Sequence, residues 1–205
     1  MKKFELTNEF IANRFGTKLF RIRALVEFGD VEAGELGGYV EKESNLGHDD
    51  NAWVYGNARV YGDALVYDNA RVYGNAWVYG DAQVSGDALV YGNAWVYGDA
   101  QVYGNAWVYG DAQVSGDARV CGNGDYAYAH GFGSVNRTTT FFRLKDGGVG
   151  VRCGCFYGTL AQFRDKIRET HGETKKAQEY LMLADLMELR FEEDENEVGN
   201  RKYVE

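Results

Sequence analysis

An uninterrupted tandem repeat dominates the sequence. From Asn51 to Gly122 the chain consists of twelve consecutive six-residue units, in which Ala is always second and Val always fourth. Because Ala and Val flank one variable residue, they lie on one face of a short strand and the variable residue lies on the other. The Gly that ends eleven of the units, and the Asn or Asp that begins each unit, tolerate left-handed backbone. Each strand is therefore predicted to end in a sharp corner.

Strands this short are stable only when successive coils of the chain stack about 4.8 Å apart and pair with the coils above and below. The repeat therefore predicts a β-solenoid. If three units make one coil, stacked positions sort into columns, and every third corner is always Asp: Asp63, Asp81, Asp99 and Asp117. A twelve-residue coil sorts the residue types less cleanly. We predict a mainly β, triangular solenoid with 18 residues per coil.

The repeat places an aliphatic residue four positions before a small one, as in Val54 and Ala58. In this it resembles the hexapeptide-repeat, left-handed β-helix proteins. Residues 36–46, which lead into the repeat, are more narrowly similar to the first coil of bacterial and phage β-solenoid proteins that carry the label of transferase. The resemblance covers about residues 20–125 and implies a left-handed solenoid. It implies no activity, because the label comes from the fold alone.

The sequence divides into four parts. We predict an N-terminal cap and leading coil over residues 1–50, the regular solenoid over 51–122, an exit segment with a β-hairpin over 123–158, and a helical region over 159–205. Thr159 is expected to cap the first helix, and a second helix is expected over about residues 174–190. A stripe of Met182, Leu186 and Leu189 on the second helix is predicted to bind a second subunit; the alternative is burial within the chain.

The C-terminal segment resembles a small uncharacterised domain of phage, prophage and gut-bacterial proteins. The residues that carry this likeness are 153–160, Phe163, Thr170-His171-Gly172 and Tyr180-Leu181. The resemblance implies a mobile-element origin but no activity. The acidic run at residues 192–195 is predicted to be a solvated chain end.

Composition disfavours several classes of function. The net charge is −9, which disfavours direct binding of nucleic acid, since phosphates are neutralised by clustered Lys and Arg. No stretch approaches the roughly 18–20 apolar residues that span a bilayer. Three cysteines without a framework spacing indicate a reducing compartment. We expect a cytoplasmic protein with no membrane contact.

Many hexapeptide-repeat proteins are acyltransferases whose general base is a histidine in the coils or in a loop that leaves them. The twelve units here contain no histidine, and neither His48 nor His130 has a recognisable activating neighbour. We therefore predict no catalytic residue and no cofactor, with a trimeric acyl-CoA-dependent transferase as the alternative. Cys153 and Cys155, with His171, are a candidate metal site, but packing of the two cysteines as small apolar residues is favoured and no metal is predicted.

The outward positions form two aromatic faces. The first carries Arg59, Trp77 and Trp95 beside Tyr61, Tyr79 and Tyr97, and the second carries Trp53, Arg71 and Trp107 beside an all-Tyr column. Trp, Tyr and Arg anchor interfaces, and soluble monomers seldom expose broad apolar patches. These faces are therefore predicted to bind a protein. Two alternatives are aromatic ladders that only stabilise the stacked coils, and stacking of sugar rings.

The column of Asp63, Asp81, Asp99 and Asp117 has two readings. Each carboxylate caps its own corner, or the column binds cations or imitates the backbone of a nucleic acid.

We predict a non-enzymatic protein-binding solenoid that is a homo-oligomer, with a dimer favoured. In its narrowest form it is a phage or mobile-element protein that blocks a host defence or nucleic-acid-handling complex. A purely architectural rod is the remaining alternative.

Overall fold

The chain begins with three strands that lead into the solenoid. The computed structural model describes residues 2–132 and 136–192. Strands β1 (Phe4–Ala12) and β2 (Lys18–Ala24) form an antiparallel hairpin. Strand β3 (Leu36–Val40) pairs with β2 on one side and with the solenoid strand Arg59–Val60 on the other. A short 3₁₀ turn, Glu43–Asn45, precedes the regular repeat.

Each of the twelve units contributes one short strand. These strands are β4 (Trp53–Val54), β5 (Arg59–Val60), β6 (Leu65–Val66), β7 (Arg71–Val72), β8 (Trp77–Gly80), β9 (Gln83–Val84), β10 (Leu89–Val90), β11 (Trp95–Gly98), β12 (Gln101–Val102), β13 (Trp107–Val108), β14 (Gln113–Ser115) and β15 (Arg119–Val120). They form three parallel sheets, β3-β5-β8-β11-β14, β4-β7-β10-β13 and β6-β9-β12-β15, and the first is extended by β1 and β2.

The register confirms the predicted coil. Trp77 pairs with Trp95, and Leu65 pairs with Gln83, so stacked residues are 18 positions apart and the solenoid has about five turns. The Ala and Val of all twelve units are completely buried and fill the interior of the prism. Asp68, which takes the place of a corner glycine, has the left-handed φ of 57°, and its carboxylate accepts the backbone N–H of Gly86 at 3.0 Å. The handedness of the coil stays a prediction.

The solenoid ends on a small α+β domain. Its antiparallel sheet consists of β16 (Tyr126–Phe132), β17 (Arg137–Arg143), β18 (Val149–Cys153) and β19 (Phe156–Thr159), in that order. Helix α1 (Leu160–His171) and helix α2 (Lys175–Phe191) follow. The Thr159 hydroxyl accepts the N–H of Gln162, which confirms the predicted cap. Of the acidic run, residues 193–195 lie outside the described residues. Neither described helix is long and apolar enough to cross a membrane.

A buried lysine ties the N-terminus to the solenoid. The Lys3 ammonium lies 4.6 Å from the centre of the Phe28 ring and donates to three backbone carbonyls, those of Asp49, Asp50 and Ala52. Removal from water disfavours the charged form, and it lowers the pKa of Lys3 from 10.5 to about 8. The fold therefore holds this amine less readily protonated than the unfolded chain does.

Stability is expected to increase with pH above about 8. Between the folded and unfolded pKa values of Lys3 the unfolded chain binds more protons, so raising the pH from about 8 to about 9.5 favours folding by about 1–2 kcal/mol. Urea unfolding at the two pH values measures the change. Lys3→Met should abolish the increase and Lys2→Met, at an exposed neighbour, should keep it. An increase of equal size in Lys3→Met would contradict this assignment.

Candidate functional site

The first aromatic face is a stacked ladder of rings. We call Trp77 and Trp95, together with Tyr61, Tyr79 and Tyr97, the Trp–Tyr ladder. The two tryptophan rings are 5.3 Å apart and within 12° of parallel. The three tyrosine rings are 5.0 and 4.9 Å apart and within 2° of parallel. The structure thus brings together the residues that the sequence placed on this face.

The ladder exposes the edges of its rings, because their flat faces meet one another along the solenoid axis. At its ends, the Arg59 guanidinium lies 4.8 Å from the centre of the Trp77 ring and that of Arg152 lies 5.7 Å from Tyr97. Burial raises the pKa of Tyr79, so its hydroxyl stays neutral. A sugar ring or a base needs a free aromatic face to stack on, and the faces inside this ladder are occupied. Each stacked pair stabilises the coils by about 0.5–1.5 kcal/mol.

Trp53 corrects the second predicted face. Its side chain is 0% exposed, so the prediction that Trp53 contacts a partner is wrong. The Phe4 and Phe28 rings pack edge-on against it at 6.1 and 5.3 Å. The N-terminal segment folds over the first coil because the apolar end of a solenoid must be covered. The sequence did contain a signal of this burial, because Trp53 lies in the first unit of the repeat, at the end of the solenoid that needs a cap.

Arg71 is also engaged by the N-terminal cap. Its guanidinium lies 3.3 Å from an oxygen of Asp30, and the Tyr55 hydroxyl donates to the other oxygen of Asp30 at 3.0 Å. Arg71 is therefore held by its own chain, and its role in binding a partner stays a prediction.

The far end of the second face forms an aromatic concavity. Trp107 is 47% exposed and Tyr109 is also exposed. With Tyr128 and Arg190 of the C-terminal domain they border a hollow of about 420 Å³, which we call the Trp107 concavity. The Tyr128 ring meets Tyr109 edge-on at 5.8 Å, and Arg190 reaches the carbonyl of Asn123 at 3.5 Å. Sequence reasoning missed Tyr128 and Arg190, since no repeat links them to the solenoid.

Asp63, Asp81, Asp99 and Asp117 form an exposed column along one corner, which we call the Asp row. The two other corner columns form ladders through asparagine amides, as where Asn93 donates to Asp111 at 3.1 Å. Carboxylates have no donor, so the Asp row cannot form such a ladder. Lys42 lies 2.6 Å from Asp63 and lowers its pKa, whereas Asp81 and Asp99 have no ion pair with any residue that the structure describes.

The apolar stripe on α2 faces outward. Met182, Leu186 and Leu189 are all exposed, so the described part of the chain does not bury them. The opposite face of α2, which includes Tyr180 and Ala184, packs into the C-terminal domain. Contact of this stripe with a second subunit stays a prediction.

His48, His130 and Cys153 have structural contacts, as where the Thr139 hydroxyl donates to the Cys153 sulfur at 3.2 Å. Cys155 is exposed, so the prediction that both cysteines pack as small apolar residues is wrong for Cys155. The His48 ring stacks on Phe4 at 4.5 Å and accepts the Lys3 backbone N–H at 3.2 Å, and desolvation lowers its pKa. His130 lies 2.8 Å from the Thr138 hydroxyl. Among the residues that the structure describes, no three His, Cys, Asp or Glu side chains are grouped so that they could hold a metal ion.

Comparison with known proteins places the repeat among solenoids. Residues 52–67, 64–80, 82–98 and 100–116 match the family described as the YdcK β-solenoid repeat. The chain contains a hexapeptide-repeat β-solenoid. A curated relative from Escherichia coli (strain K12), named "Uncharacterized acetyltransferase YdcK", is 36% identical over 74 residues. The match covers 32% of this chain and 23% of the relative, so the chain spans about a quarter of that protein's length.

Proposed function

We propose that the protein is a non-enzymatic, cytoplasmic binding module whose solenoid holds a partner protein, with the Trp107 concavity as the main contact. The observation that carries the proposal is the exposure of Trp107, 47%, in a hollow bordered by Tyr109, Tyr128 and Arg190. Trp, Tyr and Arg are the residue types that supply most of the binding energy in protein interfaces.

The walls of the concavity are held in place before any partner arrives. Tyr109 is packed edge-on between Tyr126 and Tyr128, and the Trp107 backbone N–H donates to the Asn123 side chain at 2.8 Å. Ordering a flexible side chain on binding costs about 0.5–1.5 kcal/mol, so pre-ordered walls favour affinity. A protruding apolar or aromatic side chain of the partner fits such a hollow.

The Asp row and the ring edges of the Trp–Tyr ladder are the second part of the proposal. Asp81 and Asp99 are exposed charges about one coil apart, and a row of like charges attracts a basic surface. Proteins that handle nucleic acids present such surfaces. Blocking of a host complex by a phage or mobile-element protein is the narrower form of this proposal, and its support is the sequence resemblance of the C-terminal segment.

An acyl-CoA-dependent transferase is the second candidate function, and it is favoured by the name of the Escherichia coli relative. The hexapeptide-repeat acyltransferases that the chain resembles usually assemble as trimers with clefts between their subunits. Calorimetry with acetyl-CoA and the molar mass in solution separate the two: a trimer that binds acetyl-CoA favours the transferase. If the protein captures no partner and binds no acetyl-CoA, the result favours the third alternative, a purely architectural rod.

Trp107→Ala is expected to reduce capture of a partner from bacterial lysate at least about tenfold, because truncating a central interface anchor costs about 2 kcal/mol or more. Quantitative mass spectrometry of the retained proteins measures the loss. Leu65→Ala, at an exposed residue of the sheet β6-β9-β12-β15, which carries neither aromatic face, is the matched control and should retain the partner. Equal retention of the partner by wild type and by Trp107→Ala would contradict the proposal.

In the same capture experiment, joint change of Asp81 and Asp99 to Asn should weaken capture of a basic partner.

A further inference from the structure

The C-terminal domain contains a cavity that lies apart from the solenoid faces. It is bordered by β17, the β18–β19 hairpin and α1 and α2, and its volume is about 260 Å³. This is slightly below the usual range of about 300–1,000 Å³ for small-molecule pockets. Its walls combine aromatic rings with basic side chains: Phe156, Phe163, Tyr180, Arg137, Lys166 and His171.

The aromatic wall is rigidly packed. The Phe163 ring lies 5.4 Å from Phe156 and 5.8 Å from Tyr180, and the His171 ring stacks on Tyr180 at 6.0 Å. Burial raises the pKa of Tyr180 to about 12, so its hydroxyl stays protonated and can donate a hydrogen bond. A flat or branched apolar group fits against this wall.

The charge of the cavity opposes that of the chain. The protein carries a net charge of −9, yet Arg137, Lys166 and His171 line the cavity, and no carboxylate lines it among the residues that the structure describes. Glu169, outside the lining, lies 2.7 Å from Lys166 and neutralises part of its charge. The cavity is therefore a local attractor for an anion.

Arg137 has a guanidinium available for a ligand. It makes no hydrogen bond or ion pair with any residue in the described part of the chain, and it lies directly over Gly154, where any side chain would overlap it. A guanidinium binds carboxylate and phosphate groups through two parallel hydrogen bonds, which fixes the orientation of the bound anion. Arg137 is thus the group in this cavity best suited to hold an anion.

We propose that this cavity binds a small molecule in which an aromatic or branched apolar group carries one carboxylate or phosphate. The apolar group packs on Phe156 and Phe163, and the anionic group pairs with Arg137 and Lys166. This site is independent of the partner-binding faces, so it stands whether or not a partner is found.

Titration with phenyl phosphate and with phenylacetate tests the site and distinguishes the two anionic groups. We expect saturable shifts of the amide NMR signals of residues that line the cavity, and binding at least about tenfold tighter than that of inorganic phosphate or benzyl alcohol, which each supply one half of the ligand. Arg137→Gln and Lys166→Gln should each weaken binding at least fivefold. Arg168→Gln is the control: like Lys166, Arg168 is an ion-paired basic residue of α1, but it does not line the cavity. This change should leave binding unchanged.

Cysteine alkylation provides a second test of binding, and it uses the wild-type protein. Cys155 lines the cavity and is exposed, whereas Cys121 is exposed at the last coil of the solenoid. Bound phenyl phosphate or phenylacetate should slow alkylation of Cys155 by iodoacetamide and leave Cys121 unaffected. The proposal is overturned if neither ligand binds saturably with a dissociation constant of about 1 mM or lower, which corresponds to a binding free energy of about −4 kcal/mol. It is also overturned if Arg168→Gln weakens binding as much as Arg137→Gln does.

Discussion

Replacing Trp53 by alanine is expected to lower the free energy of unfolding by about 3–5 kcal/mol, the usual cost of truncating a fully buried large aromatic side chain. Trp53 is completely buried between the Phe4 and Phe28 rings, and its loss would leave a cavity at the junction of the cap and the first coil. Urea unfolding followed by circular dichroism measures the difference.

Trp107→Ala is the matched control for this prediction. Trp107 occupies the same position of the repeat three coils later and lies in the same sheet, but its side chain is 47% exposed. We expect this change to cost less than about 1 kcal/mol, since surface substitutions seldom cost more. Similar losses for both variants would show that the cap does not stabilise the fold through Trp53.

The two tryptophans show what the sequence determines and what it leaves open. The period of six residues predicts the coil, the buried Ala and Val columns and the column in which Trp53 and Trp107 stand. It does not predict which coils are covered, because the segments that cover them have no period. Phe4 and Phe28 reach Trp53 from an irregular segment, and Tyr128 reaches Tyr109 from beyond the repeat.

The candidate sites differ in the same way. Membership of the Trp–Tyr ladder follows from spacing alone, but the orientation of the rings does not, and this orientation leaves only their edges for a ligand or partner. The cavity of the C-terminal domain depends on Arg137 and Lys166, which are brought together by tertiary packing of β17 against α1. Single-sequence patterns carry no information on such contacts.

Changing Asn45 to Asp is expected to destabilise the protein by about 3–5 kcal/mol at pH 7, although the two side chains have nearly the same shape. Asn45 stands one coil before Asp63 at the head of the Asp row and is completely buried. Its amide donates to the carbonyls of Gly62 and Ala64 at 3.0 and 2.8 Å. A carboxylate would place a buried charge against these two acceptors and leave both unpaired.

The pH dependence separates this cause from simple loss of packing. A carboxyl group at position 45 would have a raised pKa in the folded state, so the folded chain would bind more protons and stability would fall as pH rises above about 4. The difference from wild type should therefore be smaller at pH 5 than at pH 7 in urea unfolding. Asp63→Asn, at an exposed position of the same column, should change stability by less than about 1 kcal/mol. If Asn45→Asp is as stable as wild type at pH 7, the amide is not what fixes the leading coil to the Asp row. The stability of the fold would then not explain why this column has Asn at position 45 and Asp at the positions stacked on it.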